Sequence, residues 1–166
     1  DLLDVRVVVS AGPTWEALDP IRHIANRSSG KMGYALARIA RRRGARVTLI
    51  SGPTSLTPPP GVAFVPVVSA RDMEVAVMKR ASSADVVVMA AAVGDFRPSE
   101  SARHKIKRGQ AELQLRLVPN PDILGKLGML SEPRLLIGFA AETRDLVANA
   151  RRKLQAKGVH LMVAND

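Results

Sequence analysis

Short apolar runs that alternate with amphipathic stretches constrain the fold of this chain more than any other feature. Runs of strand length are predicted at 5–10, 46–50, 62–67, 85–89, 134–139 and 160–163. Stretches with helical periodicity stand between several of these runs, and strands joined through helices lie parallel in one sheet. The sequence therefore predicts an α/β, Rossmann-like fold, with a mostly parallel sheet flanked by helices. The run at 85–89 is mostly apolar and is predicted to be a central strand.

Four helices are predicted at 28–43, after Ser69, at 121–129 and at 145–157. In the first helix, the spacing of Met32, Leu36, Ile39 and Ala40 predicts a stripe that faces the core. Gly44 is predicted to end that helix. In the second helix, a shared face is predicted for Met73, Ala76 and Val77.

Two segments break the alternation. The segment 11–26 is polar and contains prolines, and it is predicted to be an irregular turn. The segment 96–118 is basic, and its last part alternates with a period of two from Glu112 to Leu117. That period predicts an amphipathic strand in an inserted hairpin. We expect residues 1–166 to form a single nucleotide-binding domain.

Composition excludes several classes of protein. No apolar run reaches the roughly 20 residues that a membrane-spanning helix needs, and the chain has no cysteine for a disulfide or a thiolate metal site. We therefore expect a cytoplasmic protein without a membrane partner. The net charge of +10 suggests a polyanion ligand. Basic clusters late in predicted helices and only five aromatic side chains (one Trp, one Tyr and three Phe) argue against nucleic acid as that ligand.

Ligands of open α/β sheets bind beyond the carboxyl ends of the strands. The segments that follow the predicted strands there are 11–31, 90–107 and 139–143, and the segment 120–124 is a further candidate. Small residues at a helix start expose backbone N–H groups to an anion. The best phosphate candidates are accordingly Ser28, Ser29, Gly30 and Lys31. An ordinary serine cap of the helix is the alternative for this segment.

Other polar residues at this edge have two interpretations each. Asp95 either accepts hydrogen bonds from a nucleotide or caps a turn. Lys105 and Lys107 either meet phosphates or form a solvated strand face. The segment 120–122 either contacts a ligand or caps the next helix, with Asp122 as a first-turn acid. The three histidines are scattered along the chain, so neither a metal triad nor a nucleophile–base pair is predicted.

Several long motifs then resemble one known family. The run SAGPTWEALDPIRHIANRSSGKMG at 10–33 resembles the opening motif of bacterial phosphopantothenate–cysteine ligases, the phosphopantothenoylcysteine synthetase domain of a bifunctional coenzyme A biosynthesis protein. The resemblance continues, in order, at 90–96, 105–107, 120–124, 138–143 and 164–166. Gly94 departs from the alanine of many relatives. The family also implies a further segment after Asp166.

The resemblance implies a ligase that joins 4'-phosphopantothenate to L-cysteine with CTP. The substrate carboxylate would form an acyl-cytidylate with release of pyrophosphate, and the cysteine amine would then displace CMP. Asn26 matches the asparagine that handles the acyl-cytidylate, with an electrostatic role of the oxyanion-hole kind. Arg22 matches an arginine that orients a carboxylate or phosphate by its fork geometry.

The resemblance also implies nucleotide contacts along the chain. The matching positions are Met89, Ala90, Ala91, Asp95, Lys105, Pro121, Asp122, Ile123, Leu124, Phe139, Lys153 and Lys157. Mg²⁺ would bridge triphosphate oxygens, and no residue is assigned to hold it. The family further implies a homodimer, with the segment from Ala102 to Val118 as the expected contact, and fusion to a flavin-dependent phosphopantothenoylcysteine decarboxylase.

Two other functions are considered. An NAD(P)-dependent oxidoreductase would need G-x-G-x-x-G after the first strand, where this chain has Ser10-Ala11-Gly12-Pro13. A polyanion-binding module would bind DNA or RNA with strong salt dependence and would ignore CTP. Selective CTP binding distinguishes the ligase from both.

Overall fold

The computed structural model describes residues 1–109, 112–130, 134–141 and 144–165, except for the side chain of Asn165. Its ten strands are β1 Arg6–Ala11, β2 Trp15–Ala17, β3 His23–Ala25, β4 Arg46–Ser51, β5 Ala63–Pro66, β6 Val86–Met89, β7 Phe96–Pro98, β8 Leu117–Pro119, β9 Leu135–Ala141 and β10 Leu161–Asn165. The helices in these residues are α1 Lys31–Arg42, α2 Ala70–Ala81, α3 Ile123–Gly128 and α4 Leu146–Lys157.

Six strands form one parallel sheet in the order β10-β9-β6-β1-β4-β5. The chain starts at β1, builds outward through β4 and β5, and then returns to β6 on the other side of β1. The strand order thus reverses between β1 and β6, and this is the switch point at which doubly wound folds bind ligands. The predicted fold class and the central position of β6 are both confirmed.

Apolar side chains alternate between the two faces of the sheet. In β1, Val8 packs into a cluster with Met73 and Val77 of α2. Val7 and Val9 point to the opposite face, where they pack with Tyr34 of α1. Because β1 is buried on both faces, its sequence is a nearly continuous apolar run, and this run is the pattern that predicted the strand.

The helix α2 begins as predicted at Ser69. The Ser69 hydroxyl accepts a hydrogen bond from the Asp72 N–H (3.2 Å), and the Asp72 carboxylate accepts one from the Ser69 N–H (2.9 Å). Such a capping box satisfies two backbone donors at the helix start. The predicted face of Met73, Ala76 and Val77 is buried.

The predicted core stripe of α1 is confirmed for Leu36 and Ala40, which pack against the core, and is wrong for Met32 and Ile39. Met32 and Ile39 are 58% and 48% exposed, whereas Gly33, Tyr34 and Ala37 are buried. A methyl group on Gly33 would lie 2.5 Å from the Ala11 Cβ. The helix therefore approaches the sheet through its small residues, and the larger apolar side chains lie at the margin of the contact. Gly44, with a φ of +101°, follows the helix as expected.

The two irregular segments also differ from their predictions. The segment 11–26 contains an antiparallel hairpin, in which β2 pairs with β3 and the Trp15 ring stacks on His23 with centroids 4.1 Å apart. The second hairpin is confirmed but shorter, because β7 pairs only with β8 and the positions 112–116 form no strand. Each strand of the two hairpins has only three residues, which is too short for a periodic pattern to be recognised in the sequence. Within the described residues, no helix has the length and apolar character to cross a membrane.

Candidate functional site

The loops that follow β1 and β6 are joined to each other above the switch point. The Ala92 N–H donates to the Gly12 carbonyl (2.9 Å). Two hydroxyls extend this pairing, since the Ser10 Oγ accepts from the Ala91 N–H (3.1 Å) and the Thr14 Oγ1 accepts from the Gly94 N–H (2.9 Å). Both hydroxyl residues are fully buried. These bonds fix the backbone of the segment 91–94, called the floor below, at the carboxyl ends of β1 and β6.

Two asparagines hold the next carbonyls of this floor. The Asn26 Nδ2 donates to the Val93 carbonyl (3.0 Å), and the Asn120 Nδ2 donates to the Gly94 carbonyl (2.8 Å). The Asn120 N–H also donates to the Asp95 carbonyl (2.8 Å). These bonds bring three predicted segments together, namely the first loop, the loop after β6 and the start of α3.

Asp95 stands at the end of this floor. Its side chain is exposed, and its carboxylate makes no hydrogen bond within the described part of the chain. A turn-capping aspartate would accept a nearby N–H, so the capping interpretation of Asp95 is wrong and the ligand contact stays a prediction. A free carboxylate there is able to accept hydrogen bonds or to contact a cation.

Arg22 is bound to the protein itself. Its Nε and Nη2 donate to Asp19 Oδ2 (3.0 and 2.6 Å), and Nη2 also donates to the Ile106 carbonyl (2.6 Å). The predicted fork geometry therefore orients a carboxylate of this chain, and two of the three guanidinium nitrogens are engaged.

The Asp19 carboxylate beneath Arg22 was not predicted from the sequence. It is buried and accepts from the N–H groups of Ile21 (2.9 Å), Arg22 (2.8 Å) and Ile106 (3.1 Å), as well as from the Arg22 guanidinium. Burial raises the pKa of a carboxyl group, but these donors outweigh it and hold the Asp19 pKa well below its usual range. The only signal in the sequence is the spacing of an acid three residues before an arginine.

Asp122 and Lys157 meet at the start of α3. The Asp122 carboxylate caps the helix by accepting from the Gly125 N–H (3.0 Å), and it forms an ion pair with the Lys157 Nζ. Partial burial opposes ionisation of Asp122, but the Lys157 ammonium and the Gly125 N–H together lower its pKa. Lys153 lies one turn before Lys157 on α4, so the two predicted lysines share one face of that helix.

The phosphate candidates differ from an ordinary helix cap. Gly30 is the N-cap residue of α1 with a φ of +75°, and no side chain caps the helix. The Ser28 Oγ accepts from the Gly30 N–H (3.3 Å), so the serine-cap alternative is wrong. Ser29 and Lys31 are exposed. No hydrogen bond joins 28–31 to Asp95 or Asp122 among the residues that the structure describes.

Several predicted nucleotide contacts offer only their backbone. Met89 and Ile123 are 7% and 3% exposed and pack in the core, so their side chains face away from solvent. Phe139 is half-buried in β9, while Ala90, Ala91, Pro121 and Leu124 are partly exposed around the floor. Positions 142, 143 and 166 of the matching motifs lie outside the described residues.

The residues that the structure describes contain no group of three or more His, Asp or Glu side chains able to hold a metal. Magnesium usually keeps several waters and takes one or two carboxylates together with substrate phosphates. The exposed carboxylate of Asp95 fits a magnesium site of this kind, in which the protein supplies one or two carboxylates and the substrate supplies phosphates.

Comparison with known proteins identifies the family. The chain matches the family described as DNA/pantothenate metabolism flavoprotein C-terminal domain over residues 2–166. It is 51% identical over 161 residues to the coenzyme A biosynthesis bifunctional protein CoaBC of Bacillus subtilis (strain 168), covering 96% of this chain. The chain spans only 40% of that relative's length.

Two solved structures have the same fold. A crystal structure of the C-terminal domain of a CoaBC protein superposes with a TM-score of 0.89 and 45% identity, covering 99% of this chain and 79% of that one. A Cab2 mutant in complex with phosphopantothenate-cysteine superposes with a TM-score of 0.83, covering 97% and 72% of the two chains. That second likeness, at 20% identity, concerns the fold alone.

Proposed function

The chain belongs to the DNA/pantothenate metabolism flavoprotein C-terminal domain family, and we therefore propose that it is a CTP-dependent phosphopantothenate–cysteine ligase of coenzyme A biosynthesis. The names of its relatives support the pathway, and the ligand of the Cab2 structure, phosphopantothenate-cysteine, is the expected product. The observation that carries the proposal is the placement of Asn26 on the same rigid floor as the exposed Asp95.

The proposed reaction has two steps. A carboxylate oxygen of 4'-phosphopantothenate attacks the α-phosphorus of CTP, and pyrophosphate leaves with the electrons of the broken P–O bond. The cysteine amine then attacks the acyl carbon of the cytidylate, CMP leaves, and the nitrogen loses a proton as the amide forms. Both steps place negative charge on oxygens that must be stabilised by donors fixed in advance.

Asn26 is the donor that we assign to the acyl carbonyl. One N–H of its carboxamide is held by Val93, and the second N–H remains for the substrate. Because Val93 belongs to the hydrogen-bonded floor, the Asn26 side chain is oriented before substrate arrives. Such preorganisation is what makes an oxyanion donor effective.

The nucleotide is assigned to the other side of the floor. Asp95 would accept hydrogen bonds from the nucleotide or contact its magnesium ion, which would neutralise the triphosphate charge. The Asp122–Lys157 pair lies by the start of α3, and Lys153, one turn earlier on α4, would add a positive charge that suits the phosphates. The backbones of 89–91 and 121–124, with Phe139, would surround the base and sugar, while Ser28 to Lys31 would take the phosphate of the pantothenate arm.

The remaining partners belong to the same proposal. The relatives are bifunctional proteins, which supports fusion to a flavin-dependent phosphopantothenoylcysteine decarboxylase. We also propose a homodimer with contacts from the segment between Ala102 and Val118, and a cytoplasmic location.

A thermal shift with CTP, ATP, NADPH or short duplex DNA, each with Mg²⁺, tests the proposal first. A ligand that binds only the folded state raises the melting temperature by mass action. We expect the largest rise with CTP, followed by pyrophosphate release when phosphopantothenate is added and by amide formation when cysteine is added. A rise with NADPH alone would instead support the oxidoreductase, and one with DNA alone the polyanion-binding module.

A further inference from the structure

We propose that Asp19 is a positioning residue that fixes the lysine-bearing segment 102–107, called the strap below, against the hairpin β2/β3. The strap crosses the turn of this hairpin and carries Lys105 and Lys107. Its contacts with the turn involve main-chain atoms, so its position does not depend on the side chains of the two lysines.

The strap is attached at two points. The Ala102 N–H donates to the Leu18 carbonyl (2.9 Å), and four residues later both polar backbone atoms of Ile106 are bound. The Ile106 N–H donates to Asp19 Oδ2 (3.1 Å), and the Ile106 carbonyl accepts from Arg22 Nη2 (2.6 Å). Binding both atoms fixes the peptide planes on either side of Ile106, and hence the directions in which Lys105 and Lys107 leave the backbone.

Asp19 controls both bonds at Ile106. It receives the Ile106 N–H directly, and it holds the Arg22 guanidinium that binds the Ile106 carbonyl. The Asp19 side chain has no exposed surface, whereas that of Arg22 is 43% exposed. The buried Asp19 carboxylate should hold these groups firmly, because each donor would lose a hydrogen bond to a charged acceptor if the carboxylate were removed.

The consequence concerns Lys105. If Lys105 contacts the nucleotide of the proposed ligase, as the family resemblance implies, its ammonium must be held over the floor when CTP arrives. The inference rests on that assignment for the role of Lys105, but the attachment of the strap is a property of the protein alone. Arg22 accordingly acts through Ile106 as well as through any contact with substrate.

The first test is Asp19→Asn in the complete protein, without substrate. Trypsin cleaves after Arg103, Lys105, Lys107 and Arg108, and we expect the cleavage rate there to rise about tenfold or more, since hydrogen bonds to charged groups are lost. Asp85→Asn is the matched control, because Asp85 also holds an arginine, Arg6, with two bonds at the opposite edge of the sheet. An unchanged cleavage rate in Asp19→Asn would overturn the proposal.

A double-mutant cycle tests the link to Lys105. We expect Lys105→Ala to raise the KM for CTP about tenfold in the wild type but by less than about twofold in the Asp19→Asn background, because coupled residues are non-additive. Additive effects would refute the positioning role. If Asp19→Asn does not fold, as judged by its thermal transition, Ile106→Pro removes the same N–H donor from the strap and is tested in its place.

The two proposals fail separately. A wild-type protein that neither binds nor turns over CTP contradicts the proposed function, and the proteolysis result still decides whether Asp19 holds the strap. Normal ligase activity with unchanged proteolysis in Asp19→Asn contradicts only the role of Asp19.

Discussion

Asn26 illustrates what one side chain contributes at the floor of the site. We expect Asn26→Asp to lower kcat for amide formation about 10²- to 10³-fold, the usual cost of losing an oxyanion donor. The aspartate would set a carboxylate against the Val93 carbonyl, which now accepts from the Asn26 amide at 3.0 Å. The affinity for CTP should persist, because Asp95 and the start of α3 are unchanged. Rapid-quench assays of pyrophosphate release and amide formation measure the two steps separately, and normal turnover would remove Asn26 from the mechanism.

Two glycines in the same region should respond differently to an added methyl group. In Gly33→Ala the new Cβ would meet Ala11 Cβ at 2.5 Å and the Ser10 carbonyl at 2.9 Å, so α1 would have to move from the sheet. Overpacking of this kind costs about 1–3 kcal/mol. In Gly94→Ala, the nearest atom is the Phe96 carbonyl oxygen at 3.5 Å, an ordinary contact.

Denaturant unfolding of the two variants measures this difference. We expect Gly33→Ala to lose stability and Gly94→Ala to remain within about 0.5 kcal/mol of the wild type, the usual range for substitutions without a steric or polar defect. Equal losses would mean that the contact between α1 and β1 adjusts freely. Tolerance at Gly94 would also fit the alanine that the resemblance implies at this position.

The residues of the site could be predicted only where a motif carried them. Asn26, Asp95, Asp122 and Lys157 were each selected from the sequence, and the structure pairs the last two directly. Asp19 was missed, because a carboxylate becomes an anchor only through its burial. No local pattern reports that the N–H of Ile106, far along the chain, points at it.

At the scale of elements, β1 and β6 are tied together at their amino-terminal ends by one ion pair. Arg6 binds Asp85 through its Nε (3.1 Å), its Nη2 (2.6 Å) and its backbone N–H (2.8 Å). The Arg6 side chain, its backbone N–H and its charge lower the Asp85 pKa to about 2, despite some desolvation. Because the folded-state pKa lies below the unfolded one of about 4, the pair stabilises the fold above pH 4 and loses this effect as the pH falls through 2.

The corresponding experiment compares the wild type with Asp85→Asn. We expect the wild type to unfold at higher denaturant at pH 7, with the difference shrinking below about pH 4 and becoming small near pH 2, where the Asp85 carboxyl is half protonated. Salt should reduce the difference, because the Asp85 side chain is 43% exposed. A difference that stays constant between pH 7 and pH 2 would contradict the assigned pKa.

The strands of the central sheet and the four helices were predicted close to their observed bounds, whereas the hairpin β2/β3 was missed and β8 begins at the end of the strand predicted there. The inner strands β1, β4 and β6 are largely continuous apolar runs because they are covered on both faces. The face of α1 was predicted only in part, because small residues, rather than large ones, form its closest contact with β1. The hairpin β2/β3 was missed because its order comes from contacts outside its own sequence, such as the Trp15 N–H on the Val68 carbonyl (2.8 Å) and the Ala70 N–H on Glu16 Oε1 (3.0 Å).

At the scale of the whole molecule, the strand order is that of dinucleotide-binding enzymes, but the switch point is built differently. Those enzymes place a tight glycine turn between the first strand and its helix. Here, a hairpin and the segment up to Gly30 separate β1 from α1, and the loops after β1 and β6 are bonded to each other as far as Gly94. Because these loops are bonded to each other, a ligand has room on top of them but not in a crevice between the ends of β1 and β6, where a dinucleotide would bind. This argues for the ligase over the NAD(P)-dependent oxidoreductase.

The exposed surface carries the prediction of a dimer. Phe96, Leu113, Leu115 and Leu117, named the apolar hairpin surface, are between 42% and 53% exposed. The period of two from Glu112 to Leu117 is that of a strand with one buried face, yet the described chain covers neither face there. Contiguous exposed apolar patches mark interaction sites. A second copy of the chain is the occupant that we expect, since the resemblance implies a homodimer.

Leu115→Lys should therefore weaken the dimer. A buried leucine contributes about 1.5–3 kcal/mol, so the dissociation constant should rise about 10- to 100-fold, as measured by sedimentation equilibrium. Val75→Lys is the control, because Val75 is 68% exposed on α2, away from the apolar hairpin surface. An equal effect of both substitutions would point to general solubility rather than to this interface. A wild-type protein that stays monomeric at micromolar concentration would contradict the prediction, because no second copy would then cover the apolar hairpin surface. The ligase site would then have to be complete within one chain, because no partner side chain could reach it.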